Sequence, residues 1–105
     1  MNVKIKEQDG NMVAFLEGIL DTAAASETEK AMSPLNNVEG KDIILDCTQL
    51  EYISSAGLRV LLAAQKIMNK QGEMKVVHVG GPIMEIFEVT GFSDILTIED
   101  PDAEA

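Results

Sequence analysis

Ile53-Ser54-Ser55-Ala56-Gly57-Leu58 is the stretch on which the reading of this chain turns. Two serines stand where an apolar strand gives way to a helix, and a glycine follows in the first turn. Upstream, Lys41-Asp-Ile-Ile-Leu-Asp46 has the pattern of a short buried strand, β-branched and apolar between charged ends. Downstream, Leu58 to Lys70 has helical composition, with no glycine or proline before Gly72. A helix N-terminus exposes unpaired N–H groups and the positive end of its dipole. A hydroxyl there can therefore cap the helix or carry an anion.

Working outward, Asn2 to Glu7 alternates Val3 and Ile5 against Lys4 and Lys6, the period of a half-exposed strand. Asp9-Gly10 signals a turn and Met12 to Leu16 a second strand, so the two form a hairpin. Glu17 to Asp21 closes that strand, and Asp21 or Thr22 caps an alanine-rich helix that runs to about Met32. Ser33-Pro34 either ends this helix or starts another turn. Beyond the Ser55 junction, Gln71-Gly72 stops the second helix and Met74 to Val79 is a strand. Gly80-Gly81-Pro82 opens a third helix through Val89, and Ile95 to Ile98 is a last short strand. Strands alternating with helices imply right-handed crossovers. The expected fold is a single α/β domain: a mixed, mainly parallel sheet with an N-terminal antiparallel hairpin and helices packed against it. Residues 1–100 form the domain, and 101–105 belong to an acidic C-terminal tail.

At 100° per residue, Gly57, Val60, Leu61, Ala64, Ile67 and Met68 share one arc of the central helix, while Arg59, Lys66 and Lys70 lie together opposite part of it. The apolar arc packs on the sheet. The basic stripe is either a solvated face or a docking edge.

Composition narrows the function. The 105 residues are 46% hydrophobic and only 4% aromatic, so Leu, Ile, Val, Met and Ala must fill the core of one ordinary folded domain. Eight Lys and Arg against 18 Asp and Glu give a formal charge of −10, which argues against nucleic acid or an anionic membrane as partner. One cysteine, Cys47, permits no internal disulfide. No run of residues is long and apolar enough to span a membrane, and no signal-peptide pattern is present, so the expected location is cytoplasmic.

Four separated motifs are similar to one family. Gly18-Ile-Leu-Asp21, Leu45-Asp46, the junction from Ile53 to Leu62, and Val89-Thr-Gly-Phe-Ser-Asp-Ile-Leu96 together resemble the STAS domain of bacterial anti-sigma factor antagonists, over about Val3 to Ile98. The resemblance implies a protein that binds an anti-sigma factor which is also a serine kinase, and so frees a sigma factor. It implies that the kinase phosphorylates a serine at this junction and that a phosphatase reverses it. By motif position the acceptor is Ser55, with Ser54 the alternate, and Asp21 ends the second strand beside the partner-binding surface. Asp21, Ser54, Ser55, Gly57 and Arg59 are then the expected contact residues. Two positions depart from the family pattern: Ser54 stands where aspartate is common, and Ala56 where Ser or Thr is frequent. Partner switching of this kind needs no cofactor, metal or catalysis by the domain itself. A different class with the same fold is an accessory subunit of an ABC-type membrane transport complex, without phosphorylation.

A phosphoserine carries about −1.5 to −2 charge at neutral pH. The N–H groups of Ala56, Gly57 and Leu58 can receive part of it, and Gly57 offers no side chain to block approach. The plainer role of either serine is helix capping. Ser55-Ala56-Gly57 matches half of a G-x-S-x-G nucleophile elbow, but Ile53 replaces the first glycine and His78 is the only candidate base. Gly80-Gly81 lacks a phosphate-loop spacing, and the carboxylates lack metal-ligand spacing.

Overall fold

Asp9 and Gly10 both take positive φ, 51° and 82°, the backbone of a two-residue type I′ turn. They join β1 (Asn2–Gln8) to β2 (Asn11–Leu20), with Gln8 opposite Asn11. The computed structural model describes residues 2–34, 42–70 and 72–99. The expectations for Lys41, Gln71 and the acidic tail lie outside these residues. From β2 the chain enters α1 (Thr22–Met32), β3 (Ile43–Ile53), α2 (Ser55–Met68), β4 (Met74–Val77) and α3 (Gly81–Thr90). A 3-10 turn, Phe92–Asp94, leads to β5 (Thr97–Glu99).

The strands lie in the order β1-β2-β3-β4-β5, antiparallel between β1 and β2 and parallel thereafter. Element order and sheet type are those expected from the sequence. Several boundaries are not. β2 runs past Leu16 to Leu20, and β3 past Asp46 to Ile53. The register between them shifts at Phe15/Glu17 and again at Gly18/Ile19, and Gly18 sits at φ 101°. A bulge needing a left-handed residue is what a glycine permits, so polar Glu17 and Gly18 interrupt the pattern without ending the strand. α2 starts at Ser55 with Ser54 as its cap, at the serine junction where the sequence places it, but it ends at Met68 and leaves Lys70 beyond its C-cap, Asn69. β4 stops at Val77, since His78 turns to φ 55°, outside strand geometry. The last strand is displaced to Thr97–Glu99 because Ile95, expected to begin it, follows the 3-10 turn with helical dihedrals.

One apolar cluster joins the sheet to all three helices: Leu16, Leu20, Leu45 and Ile53 from the strands, Met32 from α1, Leu61 and Met68 from α2, and Ile83 and Phe87 from α3. Fully burying a Leu, Ile or Phe side chain contributes about 1.5–3 kcal/mol each, so this cluster is what holds helices and sheet together. Along β3 the burial alternates, with Ile43, Leu45 and Cys47 buried and Ile44 and Asp46 half-buried. The core therefore lies on one face of the sheet.

Candidate functional site

The site is built where β2 and β3 end. Each strand delivers a polar residue in extended conformation that caps the helix behind it. Asp21 (φ −95°, ψ −175°) accepts the Ala24 N–H at 2.9 Å through Oδ1, and Ser54 (φ −93°, ψ 173°) accepts the Gly57 N–H through Oγ at 3.2 Å. Two helix N-termini thus emerge side by side from adjacent parallel strands. The carboxyl ends of parallel strands are where open α/β sheets offer their loops to ligands and partners.

Within this arrangement the two serines divide the work. Ser54 is half-buried and its hydroxyl is committed to the cap. Ser55, the first helical residue, is exposed, and among the described residues its hydroxyl meets no hydrogen-bond partner. The expected cradle of three N–H groups is smaller than the sequence suggests. Gly57 N–H is held by Ser54 Oγ, and Leu58 N–H donates to the Ser54 carbonyl at 2.9 Å. The i to i+4 bonding of the helix leaves its first donors, on Ser55 and Ala56, facing outward.

Gly57 is buried, so it does not present itself to a partner as the sequence reading expects. A Cβ there would stand 2.7 Å from Leu20 Cγ, 2.9 Å from Ile53 Cγ1 and 2.9 Å from the Leu20 carbonyl oxygen. The glycine lets α2 sit against the strand ends, and thereby sets where Ser55 is carried.

Arg59 is exposed one helical turn beyond Ser55. Residues 55–68 contain no Asp or Glu, and among the described residues neither Arg59 nor Lys66 forms an ion pair. On a chain of net charge −10, α2 therefore presents a basic strip that begins at Ser55.

Sequence reasoning missed Ile19 and Tyr52. They face each other across β2 and β3, and are 50% and 47% exposed. Each lies two residues before a cap, Asp21 or Ser54. With Leu20 and Ile53 buried, strand alternation turns their neighbours outward; the signal was present but required both strands to run to their true ends.

The nucleophile-elbow reading finds no support in the register. Val77 is paired with Asp46, and the rest of β3 carries the chain roughly 20 Å beyond His78 before Ser55 is reached. Cys47 is buried, and burial, reinforced by the Asp46 charge, pushes its thiol from 9.0 up to about 12. It remains a protonated, apolar filler. Among the described residues no cluster of His, Cys, Asp or Glu could hold a metal ion, and no helix is long and apolar enough to cross a membrane.

The chain matches the STAS domain family over residues 2–105 and belongs to it. Among proteins of similar sequence is BtrV of Bordetella bronchiseptica, to which an anti-sigma factor antagonist role is ascribed; it is 33% identical over 93% of this chain and 85% of its own. The anti-sigma-B factor antagonist of Listeria monocytogenes is 29% identical over 99% of this chain and 93% of its own. Among solved structures, the Bacillus cell fate determinant SpoIIAA in its phosphorylated form shares the fold with a TM-score of 0.71 and 17% identity, over 98% of this chain and 94% of that one.

Proposed function

We propose that this protein is an anti-sigma factor antagonist: unphosphorylated, it binds an anti-sigma factor that is also a serine kinase, and phosphorylation of Ser55 releases it. The observation that carries the reading is the division of the serine pair. Ser54 is spent on the cap, and Ser55 is left exposed and unpartnered at the head of α2. The names of the sequence relatives supply the anti-sigma factor as partner, and the phosphorylated SpoIIAA is a protein of the same fold that carries a phosphate.

The physics of the switch is local. A phosphate on an exposed first-turn serine meets the outward donors of the helix and its positive dipole end, so the domain keeps its fold. The same charge pressed into a docked interface must be desolvated against a partner already fitted to a neutral hydroxyl. Each roughly 1.4 kcal/mol of that penalty weakens binding tenfold. The contact surface would comprise Asp21, Ser54, Ser55 and Arg59, with Ile19 and Tyr52 as its apolar part. Gly57 serves it from beneath. A phosphatase would restore the binding form.

The test is capture of partners from the native cell with wild-type protein, Ser55→Ala and Ser55→Asp. A small ATP-binding kinase retained by wild type and Ser55→Ala, and lost from Ser55→Asp, is the expected result. Equal retention by all three forms would remove the switch, and capture of an ABC-type ATPase in the kinase's place would favour a transport accessory role.

A further inference from the structure

Ser55 and Arg59 stand one helical turn apart on the exposed face of α2, and among the described residues the side chain of neither has a partner. Residues spaced i, i+4 on a helix have Cβ atoms about 5–6 Å apart. Helical side chains lean toward the N-terminus, so the long arm of Arg59 can reach over the turn that holds Ser55. We propose that Arg59 is the built-in counter-ion of the phosphate on Ser55, a positioning residue that holds the modified side chain along α2. The inference rests on the reading of Ser55 as phosphoacceptor and deepens it.

The surroundings favour this pairing over its competitors. α2 contains no carboxylate to draw Arg59 elsewhere, and Glu29 of α1, which packs beside Val60, Ala63, Ala64 and Ile67 of α2, forms no ion pair with it among the described residues. Lys66 lies three turns beyond Ser55, roughly 16 Å along the axis, too far to share the phosphate. The charged groups nearest by chain position on the adjoining strand ends are Asp21 and Glu51. Asp21 is bonded to the Ala24 N–H, and both oppose a phosphate rather than bind it. A guanidinium also suits the task, because its planar fork can give two parallel hydrogen bonds to one phosphate.

Two changes then follow from one modification. The phosphate adds negative charge at the head of the helix, and it withdraws the first cation of the basic strip from any acidic group of the partner. Unphosphorylated, Arg59 is free to make that contact; phosphorylated, it is occupied at home.

The experiment uses full-length protein with phosphoserine inserted at position 55 during translation, so no kinase is needed, and follows the phosphate by phosphorus NMR between pH 4 and 8. The second ionisation of phosphoserine lies near 6. In the wild type it should fall about half a unit below its value in Arg59→Gln, with Arg59→Lys in between and Lys66→Gln like the wild type. Identical titrations for wild type and Arg59→Gln would overturn the proposal, as would a Lys66→Gln shift as large as that of Arg59→Gln. No partner is present in this measurement. Failure of the proposed switch, read from partner binding to the phosphorylated protein, is therefore a separate result.

Discussion

The Ser54 N–H donates to the Leu20 carbonyl at 2.8 Å, so the residue that caps α2 is itself tied to the last residue of β2. The bond continues the β2–β3 ladder one step past Ile53, and it fixes the cap from both sides: backbone toward β2, hydroxyl toward Gly57. An exposed Ser55 thus projects from a rigid base. A charge added there cannot be relieved by the helix swinging away, which is the condition for a local modification to act on a partner.

Because only one serine is committed to the cap, the pair should separate in stability measurements. Ser54→Ala loses a cap worth about 1 kcal/mol. Ser55→Ala removes an unpartnered, exposed hydroxyl and should stay within about 0.5 kcal/mol of wild type. Urea denaturation of both variants is the measurement. A larger loss for Ser55→Ala would mean that the assignment of cap and free hydroxyl is reversed.

Gly57→Ala should destabilise the domain by about 1–3 kcal/mol, the usual range for overpacking. Of the atoms the new methyl would meet, one is the Leu20 carbonyl oxygen, which belongs to the backbone bonded to Ser54 and has little room to retreat. Denaturation midpoints test this, with Gly81→Ala as the control, since a Cβ at Gly81 meets nothing within 4 Å.

These contrasts also mark what the sequence could and could not say. The hairpin, the order of elements, a helix cap at Asp21 or Thr22 and the serine junction follow from periodicity and turn chemistry, which are local. The ends of β2 and β3 were not legible, because Glu17-Gly18 and Thr48-Gln49 have the composition of loops, yet Glu17 pairs with Gln49 and Gly18 with Leu50 across the sheet. Losing those ends hid the outward-facing pair Ile19 and Tyr52. Gly57 reads as an open approach in sequence, and only the 2.7 Å that would separate an added Cβ from Leu20 Cγ reveals it as a packing contact. In each case the deciding neighbour is distant along the chain.

Ile19 and Tyr52 should matter for binding and little for folding. They are half exposed on adjacent strand ends, so Ile19→Ser and Tyr52→Ser remove few core contacts. If the partner covers them, each substitution should weaken the complex about tenfold, as loss of an apolar anchor does. Isothermal titration with the captured kinase reads the affinity, and a denaturation curve confirms that the fold is kept. Unchanged affinity in both variants would move the interface off this edge of the sheet.

Cys47 offers a test that needs no partner. Its thiol is raised from 9.0 to about 12, first by burial and then by Asp46. The native state therefore holds a proton that the unfolded chain gives up above pH 9. With more protons bound in the native state, stability falls as pH rises. The contribution is level below pH 9 and declines between 9 and about 12, at a slope approaching roughly 1.4 kcal/mol per pH unit. The clean quantity is the difference between wild type and Cys47→Ala. At pH 7 the wild type should lead, because alanine leaves a void where the buried sulfur packs. That lead should shrink as urea curves are repeated at pH 9, 9.5 and 10. A lead that holds constant to pH 10 would mean that the native thiol ionises as readily as the free one. Native protein should then also alkylate with iodoacetamide at pH 8 as fast as protein in urea, whereas a buried, protonated Cys47 reacts far more slowly.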